Sequence, residues 1–144
     1  MANQDAPFGF RAIGQLGSGY ETQGTSKYQI QDNYTSAVYQ GDAVMTGDAQ
    51  ADGVGTTSVA GFIAPLAPAR FNGVGVFNGC FYTDPTTAKP TWKNYYPGAV
   101  NITTGTIDAY CYDNPQQLYV AQTAGTWTQT DSGSLADNDT YAAG

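Results

Sequence analysis

Histidine is absent from this 144-residue chain, and with it the commonest general base and the commonest metal ligand. A Ser-His-Asp or Cys-His site is therefore excluded. Basic residues are nearly as scarce. Arg11, Lys27, Arg70, Lys89 and Lys93 are scattered along the chain against twelve acidic residues, for a net charge of −7. A phosphate backbone calls for concentrated positive charge, so nucleic acid is not an expected partner; the acidity reads as a solvated outer surface. Only Cys80 and Cys111 carry thiols. Both have apolar, strand-like neighbours and read as buried, reduced side chains rather than a disulfide scaffold. No apolar run approaches the roughly eighteen residues of a membrane helix. The opening MANQDAPFGF has no basic segment followed by an apolar one, so no signal peptide is expected. The Asn-x-Thr sequons at Asn33, Asn101 and Asn138 accordingly carry little weight.

Acid chemistry is equally thin. A paired-carboxylate hydrolase needs two positioned acids; Asp84, Asp108 and Asp113 lie in or beside turn signals, where Asp usually serves as a turn or cap residue. Asp48 and Asp52-Gly53, and Asp137-Asn138-Asp139, are oxygen-rich but miss the EF-hand spacing and read as solvated loops. Gly73-x-Gly75 lacks the strand-then-helix context of a phosphate loop. No enzyme activity, cofactor or metal is expected.

What the chain does have is glycine (18 residues), tyrosine (11) and 13% aromatics, which separates it from disordered sequences. The stretch FNGVGVFNGCFY, residues 71–82, concentrates these features. Each of its three glycines costs up to ~1 kcal/mol in a helix, whereas β-branched and aromatic residues suit a pleated, buried surface. It reads as a central strand bulged near Asn72-Gly73 or Asn78-Gly79, or else as a hairpin turning at one of those pairs.

Around it the chain alternates short strands and turns. Lys27 to Ile30, Ala37 to Tyr39, Ala43 to Thr46, Thr57 to Ile63, Thr106 to Tyr112 and Leu118 to Ala121 read as strands, with a further edge strand around Trp127. Gln40-Gly41-Asp42 reads as a tight connection, Asp32-Asn33 and Asp113-Asn114-Pro115 as turns, and Pro65 and Pro68 as strand breakers. No segment repeats apolar residues at helical spacing, so seven or eight strands in a single-domain all-β barrel or sandwich are expected. Residues 1–26 read as an extended N-terminal arm, 27–130 as the β domain and 131–144 as a polar tail or closing loop. The arm carries Phe8, Phe10, Ile13 and Leu16 with no pattern of its own. Two readings stand side by side: it docks on a neighbouring molecule, or it lies on its own core. Trp92, Tyr95 and Tyr96, between Pro90 and Pro97, suit an interface or a core first, and a sugar-stacking platform second.

The opening Met1 to Arg11 resembles the N-terminus of small virion proteins of tailed bacteriophages. The similarity continues in Tyr28-Gln29-Ile30, Gly41-Asp42-Ala43-Val44, Gly73 to Tyr82, Trp92 to Gly98 and Ala109 to Pro115, which look like members from marine and cyanobacterial phages. The chain departs from the pattern at Ala12-Ile13, where many members have proline. The resemblance implies a capsid decoration (cement) protein assembled in the bacterial host cytoplasm. Such a protein is β-rich, sits on the capsid exterior of the virion, bridges major capsid protein subunits and often forms a homotrimer. Pro7, Phe8, Phe10, Arg11, Ile13, Trp92, Tyr95 and Tyr96 are the expected contact residues, with neither nucleic acid nor membrane as partner. The competing reading is a tail, head-fibre or adhesin module binding host glycan through Trp92, Tyr95 and Tyr96; a third is a free carbohydrate-binding module.

Overall fold

The computed structural model describes residues 8–17, 24–46, 61–66 and 73–122. The glycine-punctuated stretch forms one continuous strand, labelled β6 (Gly73–Thr83), so the strand reading holds and the hairpin does not. Its register against β9 (Ile107–Tyr112) steps between Phe77 and Gly79, which makes Asn78 a bulge residue. The bulge has a purpose visible in the burial. Phe77, Cys80 and Tyr82 all face the core, although strict alternation would send Phe77 to the side opposite Cys80 and Tyr82. One extra residue resets the phase. Two glycines of the strand permit close approach. A Cβ on Gly75 would sit 1.9 Å from the Tyr112 carbonyl oxygen, and one on Gly79 2.5 Å from the Trp92 indole and 2.9 Å from the Lys93 carbonyl.

On its other edge β6 is shared by two strands. β4 (Ala43–Thr46) pairs along its first half and β7 (Pro90–Lys93) along its second. β9 continues to β2 (Thr25–Ile30), and β4 to β5 (Ile63–Pro65). The six-stranded sheet curls until its ends touch at one parallel bridge, Gln29 with Phe62, where the Gln29 N–H donates to the Gly61 carbonyl at 2.8 Å. A full ladder does not form there, so among the described residues the sheet is not a closed barrel. Inside the curl lie Ile30, Val44, Ile63, Phe77, Cys80, Tyr82, Ile107, Ala109 and Cys111. The strict in–out alternation of β9 places Ile107, Ala109 and Cys111 on that face. Both thiols are buried and free.

Two small ribbons complete the all-β body: β1 (Arg11–Gln15) with β10 (Gln117–Val120), and β3 (Val38–Tyr39) with β8 (Tyr95–Tyr96). No helix occurs among the described residues. Of the two readings of the N-terminal segment, the described residues take the second. Residues 8–16 lie on the chain's own body: the Phe10 N–H donates to the Gly41 carbonyl at 2.8 Å, β1 pairs with β10, and the Leu16 N–H reaches the Gln116 carbonyl at 2.8 Å. The tight connection Gln40-Gly41-Asp42 is a corner between two sheets, since β3 pairs with β8 and β4 with β6. The Asp42 carboxylate accepts the Tyr39 N–H at 2.7 Å, and Gly41 and Asp42 exchange hydrogen bonds with Phe77. Pro65 ends β5 as a paired residue opposite Val44, acceptable on an edge strand where no donor is needed. Asp108 is a mid-strand residue of β9, whereas Asp84 does serve a turn, accepting the Thr86 and Thr87 N–H groups at 2.8 and 3.2 Å. The strand residues 57–60, the oxygen-rich loops at Asp48–Gly53 and Asp137–Asp139, the Trp127 strand and the 131–144 tail lie outside the described residues.

Candidate functional site

Because a two-stranded ribbon has two faces and can lay only one on the body, the β1–β10 ribbon leaves apolar side chains outside. Gln117 and Tyr119 turn inward; Leu118 and Val120 turn outward, 38% and 40% exposed. Arg11 sits opposite Val120, and Ile13, the bulged residue of β1, is 57% exposed. Leu16, just beyond the strand, and Phe8, just before it, are exposed as well. The inward side is anchored. The Gln117 amide donates to the Gly14 carbonyl at 2.7 Å and the Leu118 carbonyl at 3.2 Å, although its own oxygen is buried without a partner. The Tyr119 hydroxyl donates to the Tyr112 carbonyl at 3.0 Å, and Phe10 packs edge-on against the Tyr119 ring at 6.0 Å. Between ribbon and sheet runs an open groove of about 570 Å³ past Val74, Gly75, Tyr112, Asp113, Gln117 and Tyr119.

The expected contact residues thus divide. Phe8, Arg11 and Ile13 are presented to solvent, while Phe10 is half-buried on its own chain. Pro7 lies outside the described residues. The aromatic run of 92–96 is split in the same way. Trp92 is exposed and lies across Gly79 and against Tyr110, ring centres 5.2 Å apart, with exposed Phe81 as its cross-strand neighbour. Tyr95 stacks instead on Tyr39, at 6.2 Å with planes 16° apart. Tyr96 is wholly buried and is not a contact residue. Its hydroxyl donates to the Tyr34 carbonyl at 2.9 Å and accepts the Val100 N–H at 3.2 Å, tying the segments at Tyr34 and Val100 together inside the core. The three aromatics therefore do not form one platform.

Charge is sparse around these surfaces. Lys27 bridges to Asp108 at 2.8 Å, and the Lys93 ammonium lies 5.6 Å from the centre of the Tyr82 ring and 5.8 Å from that of Tyr95. Burial pushes the Cys80 thiol up to about 11, partly offset by Lys93, and the Cys111 thiol up to about 12, with Asp113 adding to the effect. Thiols so held stay protonated and unreachable, the opposite of an activated nucleophile. Burial together with a 2.9 Å hydrogen bond to the Asp113 carboxylate raises the Tyr28 hydroxyl to about 12. Among the described residues no cluster of three His, Cys, Asp or Glu side chains is placed to hold a metal, and no helix is long and apolar enough to cross a membrane. The arrangement offers apolar and aromatic surface for binding.

Sequence reasoning missed Tyr39, Leu118, Val120 and Phe81. The period of Leu118-Tyr119-Val120 signals two faces but not which one is covered, and nothing local to Tyr39 announces Tyr95. Comparisons with models of protein families, with curated proteins and with solved structures return no match.

Proposed function

We propose that this protein decorates the outside of a bacteriophage head, binding the major capsid protein and bridging neighbouring subunits of the shell. Two supports meet here: the virion-protein pieces noted in the sequence, and the ribbon. The observation that carries the reading is the exposed row Ile13, Leu16, Leu118 and Val120 beside Arg11. Solitary exposed apolar residues are ordinary, but a contiguous row on one ribbon marks a protein-binding surface. A shell strained by packed DNA gains from a clamp that needs no catalytic group, only surface complementary to two subunits. The copies associate as homotrimers through the second apolar cluster, Trp92 and Phe81, with closed symmetry and an interface of about 1,000 Å² or more.

Heads lacking the protein, mixed with the purified chain and sedimented, test this directly. The wild type is expected to co-sediment, with cryo-EM density over three-fold positions of the exterior; the Ile13→Asp/Leu118→Asp double variant, folded by circular dichroism, is expected to stay in the supernatant. Unchanged binding of that variant, or density inside the shell or in the tail, overturns the reading.

A further inference from the structure

A second site sits at the β3–β8 ribbon, and it does not rest on head binding. In that two-residue pairing Val38 lies opposite Tyr96 and Tyr39 opposite Tyr95. Alternation buries the first pair completely and turns the second outward, with Tyr39 58% and Tyr95 39% exposed. The two phenol rings stack nearly parallel. Gln40 follows one tyrosine and Asn94 precedes the other, so an amide flanks the ring pair on each strand, and the four residues line a shallow pocket of about 300 Å³. The Gln40 amide nitrogen donates to the Asn78 side-chain oxygen at 3.0 Å, which holds the carboxamide in one orientation. Asn78 is the bulge residue of β6, so the bulge that phases the core also positions this amide.

We infer that Tyr39, Gln40, Asn94 and Tyr95 form a binding site for a neutral saccharide unit. Each part of the pocket matches one part of such a ligand. Aromatic rings with an electron-rich face attract the weakly positive C–H face of a pyranose. Carboxamides both donate and accept, which is what a ring of hydroxyl groups requires of its partners. No carboxylate or ammonium belongs to the lining; the nearby Lys93 ammonium lies over the Tyr95 ring, 5.8 Å from its centre, and the Asp42 carboxylate is held by the Tyr39 N–H, so the lining itself addresses a neutral ligand. The volume is at the low end for ligand sites, enough for one or two sugar rings. A proline-rich peptide also packs on aromatic ridges, but it offers mainly carbonyl acceptors and leaves half of the amide capacity unused. A site this open binds weakly, with a dissociation constant on the order of 1 mM, and gains strength when many copies are displayed together.

Saturation-transfer NMR on the purified full chain, with glucose, galactose, mannose, N-acetylglucosamine and their common disaccharides, tests the inference. At least one sugar is expected to give ring-proton contacts together with shift changes at Tyr39 and Tyr95. Tyr39→Ala and Tyr95→Ala are each expected to weaken that binding at least tenfold, and Gln40→Ala several-fold. The tyrosines are surface residues; an unchanged near-backbone spectrum elsewhere verifies that each variant is folded, and Gln40→Ala, which removes no ring, remains informative if one of them is not. No contact with any sugar of the panel, a contact that survives both tyrosine substitutions, a loss produced by Trp92→Ala alone, or shifts at this pocket given only by a proline-rich peptide, overturns the inference.

Discussion

The curled sheet and the β1–β10 ribbon are made from the same alternating β pattern and end in opposite conditions. In the sheet, β6 has partners on both edges and its inward residues disappear from solvent. In the ribbon, two short strands have only each other and one face of the body, so Ile13, Leu118 and Val120 stay outside while a glutamine, not a hydrophobe, fills the most buried position. A two-stranded unit has too little surface to bury a face by itself. The buried core thus lies in the sheet and an exposed apolar row in the ribbon; if head binding uses that row, as proposed, stability and head binding can be separated by mutation.

The largest effect is expected at the sheet's tightest contact. Gly75→Ala forces a methyl group onto the Tyr112 carbonyl oxygen, a backbone atom that moves only if β6 and β9 part. The substitution should lower stability by about 3 kcal/mol, measured as a shift in urea midpoint. An alanine tolerated without loss there would mean that β6 and β9 are not packed as described.

Next comes Tyr96→Phe, which keeps the buried ring but removes the hydroxyl that joins Tyr34 to Val100. Leaving the buried Val100 N–H without its acceptor should lower stability by about 1–2 kcal/mol. Because the ring is wholly inside, head binding by the folded protein is expected to be unaffected.

Alkaline pH probes the same core more gently. Burial holds the Cys80 and Cys111 thiols at about 11 and about 12, above their ordinary value of 9. The folded chain therefore keeps protons that the unfolded chain loses. Their contribution is complete below pH 9 and declines as pH rises from 9 towards 12, because in that window the unfolded state binds fewer protons. Tyr28 and Tyr119, raised from 10 to about 12 chiefly by burial, add to the decline above pH 10. Urea midpoints at pH 7, 9 and 10.5 should be level between the first two and lower at the third, with a shallower fall in Cys111→Ala. A midpoint that rises between pH 9 and 10.5 would contradict the buried, protonated thiols.

The smallest stability effect is expected on the face proposed to bind heads. Leu118→Ser removes an exposed side chain and should change stability by less than about 0.5 kcal/mol, yet weaken sedimentation with heads. If the serine variant unfolds instead, the outer face of the ribbon is structural and the separation of roles fails.

Much of this was legible in the residues themselves. The glycine and aromatic content of 73–83 argues against a helix, the alternation of Ile107 to Tyr112 announces a half-buried strand, and the two Asn-Gly pairs mark where an irregularity could fall, because these are consequences of local backbone geometry and side-chain period. Other features are invisible at short range. That β1 takes β10 as its partner, across about a hundred residues, follows from which edges remain free once the sheet has formed. That Tyr96 goes in and Tyr95 out follows from the same circumstance, since a period of two defines two faces and assigns neither to the core. The chain's own sequence determined that it would be built of strands and narrowed the irregularity of the central one to two Asn-Gly pairs, of which the structure bulges at Asn78. Only the tertiary structure decided which faces were left uncovered, because burial is settled by non-local competition among strands and not by any one of them alone.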